Sequence, residues 1–172
     1  ISKLRPEADH IVYDIGTGTG SCSVELAFQV PYGKVYGFEI NEEAASLAEA
    51  NKERFNACNL EIIRGNALEK IVNMPCPDRV FIGGTKGNLK EILDILYKKN
   101  AYCRIVITAI TLETAGAVTA YYKEHTDYEL ETTQLFASEG RRVGPYTLME
   151  GHNPVYVMTA YCKEAEYEGQ SK

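Results

Sequence analysis

Between residues 12 and 20 the chain reads Val-Tyr-Asp-Ile-Gly-Thr-Gly-Thr-Gly, an apolar strand running into alternate glycines with a carboxylate, Asp14, at the mouth of the loop. Gly16, Gly18 and Gly20 leave no Cβ atoms between backbone and ligand and allow a tight exit from the strand. The helix that follows offers unpaired N–H groups in its first turn. This is nucleotide-binding chemistry, and two nucleotides compete for it. A nicotinamide dinucleotide asks for Gly-x-Gly-x-x-Gly, but counting from Gly16 or from Gly18 puts Ser21 or Ser23 at the third glycine. Asp14 would repel a pyrophosphate, whereas it suits the ammonium of a methionine moiety. The spacing therefore favours S-adenosylmethionine (AdoMet), with Asp14, Gly16, Thr17, Gly18, Thr19 and Gly20 as cofactor candidates. Glycine-rich turns after strands also occur with no ligand, so the loop needs support from elsewhere in the chain.

The positioning elements supply that support. Extended segments at 10–15, 34–40, 60–64, 79–82 and 104–110 alternate with helical ones at 21–30, 42–56, 89–99 and 114–125. This alternation predicts a doubly wound α/β domain with a parallel sheet. The second helix is well marked, with Asn41 at its N-cap, Glu42 and Glu43 in the first turn, and Ala45, Leu47, Ala48 and Phe55 as apolar positions. Two strands end the chain, at 128–137 and 154–162, separated by a polar, Gly-rich insertion at 138–153. Consecutive strands imply an antiparallel pair at the sheet edge, the seven-stranded, mostly parallel arrangement of Rossmann-like class I AdoMet-dependent methyltransferases. The domain is expected to span 1–163, with a frayed tail at 164–172.

In such a sheet, residues just past each strand converge on the ligand. Glu39 ends the second strand 19 residues after Gly20, near the ~20-residue spacing at which a carboxylate accepts from ribose hydroxyls. Asn66 and Ala67 follow Gly65 after the third strand and offer small surfaces to an adenine, although Gly-Asn is also an ordinary turn pair. Asp78 precedes the fourth strand, and Gly83-Gly84 follow it, leaving bare backbone where cofactor and acceptor would meet.

The whole chain bounds the alternatives. Its 172 residues, 45% apolar, make one domain with a substantial core. A net charge of −6 without any Lys/Arg run disfavours a nucleic-acid partner. Five cysteines, odd in number and with no Cys-x-x-Cys pair, indicate neither a disulfide framework nor a metal site and read as small core residues of a cytoplasmic protein. No apolar run approaches the ~20 residues that span a bilayer.

With these residues in hand, the chain resembles the decarboxylating precorrin methyltransferases of cobalamin biosynthesis, stand-alone or as the C-terminal domain of a bifunctional enzyme. The resemblance rests on Ser2 to Arg5, Asp14 to Gly20, Val35 to Asn41, Pro77 to Gly84, Gly87-Asn88-Leu89, Thr108 to Thr114 and Asn153 to Tyr156. The glycine loop is common, but Asp-Arg-Val-Phe-Ile-Gly-Gly followed by Gly-Asn-Leu and then Thr-Leu-Glu-Thr is selective. What the resemblance implies is methylation of carbon-15 of a precorrin or cobalt-precorrin with decarboxylation of an acetate side chain, AdoMet as cofactor, and a homotetramer. The first residue, Ile1, fits an expectation that the chain is trimmed or fused and that most of the family's pocket-closing N-terminal segment is absent from it. A carboxylate-rich substrate would call on Arg141 and Arg142 in the insertion, with Gly84 and Lys86 after the fourth strand as further substrate candidates. Thr111 and Glu113 either face the macrocycle, as catalytic candidates, or cap the next helix. His152 is better read as a turn residue. Tyr121, Tyr122 or Tyr146 could pack between subunits. Two other readings stand beside this one. An RNA or protein methyltransferase would usually carry Asn/Asp-Pro-Pro-aromatic after strand four, where this chain has Ile82-Gly83-Gly84. A non-catalytic scaffold domain would have no use for Asp14, the glycines and Glu39 together.

Overall fold

The structure, a computed structural model, describes residues 1–164. Nine strands are present: β1 (Ile11–Ile15), β2 (Lys34–Glu39), β3 (Leu60–Arg64), β4 (Arg79–Ile82), β5 (Arg104–Ala109), β6 (Tyr128–Leu135), β7 (Ser138–Val143), β8 (Tyr146–Gly151) and β9 (Val155–Cys162). Seven of them form one sheet in the order β3-β2-β1-β4-β5-β9-β6. β1 to β5 pair in parallel, and β9 runs antiparallel to both β5 and β6. The chain thus leaves β1 toward β2 on one side and returns to β4 on the other, so a crevice opens at the carboxyl ends of β1 and β4. This is the expected Rossmann-like, mostly parallel seven-stranded sheet with an antiparallel pair at its edge.

Five helices cover the sheet: α1 (Ser21–Gln29), α2 (Glu42–Arg54), α3 (Ala67–Lys70), α4 (Leu89–Lys99) and α5 (Leu112–Glu124). Alternate residues of a strand face opposite ways, and the core divides accordingly. Ile105 and Ile107 join Ile82, Tyr13 and the α4 residues Ile92, Leu93 and Leu96 in one cluster, while Val106 joins Val12, Val35 and the α1 residues Val24 and Leu26 in the other. α4 shows the sequence logic most plainly. Leu89, Ile92, Leu93 and Leu96 recur at helical spacing and are buried, and Lys98 and Lys99 close the last turn against the helix dipole. Each such fully buried large side chain contributes about 1.5–3 kcal/mol.

The structure departs from expectation in several places. Segment 138–153, read as a polar, Gly-rich insertion without assigned strands, is a hairpin in which β7 pairs with β8 as a separate two-stranded sheet. Its two-residue turn has Gly144 at φ 60 in the first central position, as a type II′ turn requires. In α2 only Ala45 and Ala48 face the core, while Leu47 and Phe55 stay exposed. Tyr121 and Tyr122 are buried under α5 and are therefore not available to a second subunit. Of the cysteines, Cys103 and Cys162 are core residues, Cys22 is partly buried, and Cys58 and Cys76 are exposed. The tail expected at 164–172 lies, apart from Glu164, outside the described residues.

Candidate functional site

The loop after β1 is built by exclusion of side chains. Gly16 has φ 78, and a Cβ there would lie 2.8 Å from both the backbone N and O of Gly84. Gly20 also has φ 78, and its Cβ would meet Ala48 of α2 at 3.0 Å. The loop is held to β2 by the N–H groups of Gly16 and Thr17, which donate to the Phe38 carbonyl at 3.0 and 3.1 Å. Asn51 of α2 donates from Nδ2 to the Thr19 carbonyl at 2.9 Å. On the far side, the Gly83 N–H donates to the Ile15 carbonyl at 2.8 Å, bringing the strand-four turn against the loop.

Beneath the loop lies a small polar knot. Asp14 is fully buried, and its Oδ2 accepts from Thr17 Oγ1 at 2.8 Å and from Ser23 Oγ at 2.5 Å. The two hydroxyls are 2.6 Å apart. Asp14 Oδ1 has no hydrogen-bond partner in the structure. Burial raises the Asp14 pKa, and the hydrogen bonds from Ser23 and Thr17 pull it partly back. Glu39 holds the loop from the other direction. Its Oε2 accepts from the Gly18 N–H and its Oε1 from the Asn41 N–H, each at 2.9 Å.

These contacts frame a cleft of about 210 Å³ that is open to solvent on one side. Ile15 and Gly16 come from the end of β1, Phe38, Glu39 and Ile40 from β2, and Gly65, Asn66 and Ala67 from the turn after β3. Gly84, Thr85 and Lys86 follow β4, and Ile92 of α4 closes the apolar side. Asn66 caps α3 by accepting from the Leu68 N–H at 3.1 Å, which leaves its amide Nδ2 to donate to a ligand. Lys86 has φ 52, an uncommon conformation for a lysine, and Gly87 follows at φ 95.

Of the residues expected around the cofactor, Gly16, Glu39, Asn66 and Ala67 line the cleft, and so do Gly84 and Lys86 from the substrate set. Asp14, Thr17, Gly18, Thr19, Gly20 and Gly83 build the loop and its support instead. Sequence reasoning passed over Ser23 and Gly37. A Cβ at Gly37 would come within 2.8 Å of Ser23 Oγ, so the glycine in mid-strand makes room for the knot. An unexplained glycine in a strand was the available signal. Asp78 lies at the other end of the sheet, where its Oδ2 accepts from the Ile11 N–H at 2.8 Å.

The remaining candidates sit on the rim. Thr111 caps α5, its Oγ1 accepting from the Thr114 N–H at 3.2 Å, while Glu113 is exposed in the first turn. Arg141 and Arg142, being neighbours in β7, point to opposite faces of the hairpin and cannot clamp one carboxylate together. Arg141 pairs with Glu150 at 3.0 Å. The hairpin rises beyond the carboxyl end of β5, because β9 begins where Tyr156 pairs with Ala109. Among the described residues, the one group of three potential metal ligands, Glu7, Asp9 and His10, lies before β1 at the opposite end of the sheet from the loop.

Known proteins resemble this chain in sequence and in fold. The family described as "Precorrin methyltransferase domain" matches residues 1–161. A protein of Pyrobaculum calidifontis named "Probable cobalt-precorrin-6B C(15)-methyltransferase (decarboxylating)" is 38% identical over 94% of this chain and 84% of its own length. The crystal structure of a precorrin-6y C5,15-methyltransferase from Geobacter metallireducens superposes with TM-score 0.87 at 34% identity, covering 94% of this chain and 84% of that one. The structure titled precorrin 8w decarboxylase, from Methanobacterium thermoautotrophicum, follows at TM-score 0.83 and 32% identity, over 92% and 84% of the two chains. A glycine loop closed against the strand-four turn, a carboxylate at the end of β2 and a match over nearly the whole chain lead to one conclusion: this chain belongs to the precorrin methyltransferase domain family.

Proposed function

We propose that this chain is an AdoMet-dependent methyltransferase that methylates carbon-15 of a corrin precursor and decarboxylates an acetate side chain of it, in cobalamin biosynthesis. The observation that carries the proposal is the contact of Gly16 with Gly84, which leaves bare backbone between the cofactor crevice and the strand-four turn where an acceptor must approach.

The residues fit AdoMet. Glu39, fixed by two backbone N–H groups, keeps lone pairs for ribose hydroxyls. Asn66 and Ala67 bound the adenine end. Asp14, with its unpartnered Oδ1 under the loop, provides the negative potential that suits an ammonium group. When bound, AdoMet supplies a methyl group on a sulfonium, electrophilic enough to need no Lewis acid. The protein's part is then orientation and exclusion of water. Holding the acceptor carbon in line with the methyl group is worth up to ~7–11 kcal/mol. Ile15, Phe38, Ile40 and Ile92 keep the cleft apolar. Loss of carbon dioxide breaks the bond to the carboxyl carbon and leaves an electron pair that the conjugated ring of the substrate accepts until a proton from solvent takes the vacated position, and desolvation of the acetate favours the bond-breaking step. Lys86, in the cleft lining with Gly84, and Arg142, exposed on the hairpin, are the cations this reading assigns to the substrate's other carboxylates. Glu113 remains the titratable candidate at the rim, since Thr111 is engaged as a helix cap.

The same reading makes the protein a cytoplasmic homo-oligomer, a tetramer, acting on a small molecule rather than on nucleic acid or at a membrane. Support comes from the net charge of −6, from the lack of any described helix long and apolar enough to cross a membrane, and from the hairpin's exposed Tyr146, Leu148 and Met149.

Calorimetric titration with AdoMet tests the proposal. We expect micromolar binding that Glu39→Ala weakens at least about tenfold, followed by methylated, decarboxylated product with the corrin precursor. No binding by the folded chain would sink it.

A further inference from the structure

We infer that Ile110 and Leu112, on the rim just past β5, form the apolar seat on which the acceptor's ring lies. This rests on the proposed function and adds to it the surface that selects the substrate.

The register of the sheet locates the seat. Ile82 of β4 pairs with Ile107 of β5, so the segments that follow the two strands, 83–87 and 110–112, leave neighbouring strands at the same edge of the sheet. Gly84, Thr85 and Lys86 line the cofactor cleft, and Ile110 to Leu112 therefore flank its acceptor side. Between them Thr111 caps α5, its Oγ1 accepting from the Thr114 N–H. Ile110 and Leu112 are 65% and 74% exposed. Two large aliphatic side chains left in water where the chain leaves the sheet, next to the segment that lines the cleft, offer apolar surface for a ligand to cover.

The surroundings match one acceptor chemistry, a flat apolar ring fringed with carboxylates. Lys86, in the segment that follows β4, is exposed. The hairpin, which rises from the same end of the sheet, carries Arg142 on the face opposite Arg141 and its Glu150 partner. An aliphatic floor with cations at its margin fits such a ring. It offers little to a small acceptor, which would touch neither margin, or to a nucleic acid, which would need many more cations.

The experiment uses S-adenosylhomocysteine for the cofactor site and uroporphyrin, a flat octacarboxylate tetrapyrrole, for the seat. Uroporphyrin binding to the S-adenosylhomocysteine-loaded chain is read by fluorescence for the wild type, for Ile110→Ser with Leu112→Ser, and for the conservative pair Ile110→Val with Leu112→Met. The expected result is at least about tenfold weaker uroporphyrin binding in the serine variant, recovery in the conservative one, and unchanged S-adenosylhomocysteine affinity and thermal midpoint in both. Three results overturn the inference while leaving the cofactor reading intact: wild type that binds S-adenosylhomocysteine but not uroporphyrin, serine and wild-type chains that bind uroporphyrin within about twofold of each other, or a serine variant whose weaker binding comes with a lower sedimentation coefficient, which would make the rim a contact between copies. Failure of the wild type to bind S-adenosylhomocysteine would remove the proposed function and this inference with it.

Discussion

Gly16 and Gly18 look alike in the sequence, but their surroundings differ. Gly16 has φ 78 and a neighbour at 2.8 Å where its Cβ would stand, whereas Gly18 has φ 56 and open space. Gly18→Ala should therefore cost only the left-handed backbone, about 1 kcal/mol, and Gly16→Ala should cost about 2–3 kcal/mol because the strand-four turn must also move. Urea denaturation of the two variants checks the order, and equal losses would show that the contact with Gly84 does not matter. Asp14 gives a second prediction at this scale. Burial lifts its folded pKa above the roughly 3.9 of an unfolded aspartate. The folded state then holds the proton more tightly, so the group favours folding below its unfolded pKa and loses that contribution as pH rises through the folded value. Asp14→Asn cannot titrate. The stability of wild type relative to this variant should increase as pH falls from 7 toward 4, and a difference independent of pH would refute the raised pKa.

At the scale of elements, Thr111 is the informative case. It begins α5 by accepting from the Thr114 N–H, so Thr111→Ala should lower stability by about 1 kcal/mol and Thr111→Ser should restore it. Turnover measured below the unfolding range should stay within a few-fold of wild type for both. A variant of normal stability with turnover abolished would move Thr111 from capping into the chemistry. The same cap explains why α5 starts at Leu112 rather than at 114, as the sequence suggested. The hairpin was hidden for a different reason. Every one of its strand residues is exposed, so neither face carries the buried alternation by which a strand is usually recognised. Only Gly144-Pro145 between Val143 and Tyr146 marked its turn.

At the scale of the whole molecule, a two-stranded hairpin is marginal in water by itself, and this one presents Val143, Tyr146 and Leu148 on one face and Met149 on the other. If it joins subunits of the proposed tetramer, Tyr146→Glu with Leu148→Glu should shift the sedimenting species toward monomer while leaving AdoMet binding in place. A tetramer that persists in this variant would place the interface elsewhere.

The sequence by itself determined the doubly wound sheet, the glycine loop, the carboxylate at Glu39 and the turn at Gly83-Gly84. These depend on local rules: strand and helix periods, glycine conformations, and the requirement that strand ends in a parallel sheet share one side. Tertiary structure alone decided which of those residues face the cleft and which support it. Asp14 went under the loop because Thr17, Ser23 and the space above Gly37 come together only after β1, β2 and α1 have packed. Arg141 and Arg142 were adjacent letters until β-strand geometry sent them to opposite faces. Ile110 and Leu112 came to the edge that carries the cleft only when β5 paired in parallel with β4. Contacts between residues far apart in the chain are fixed by packing and register, and a linear pattern carries no record of them.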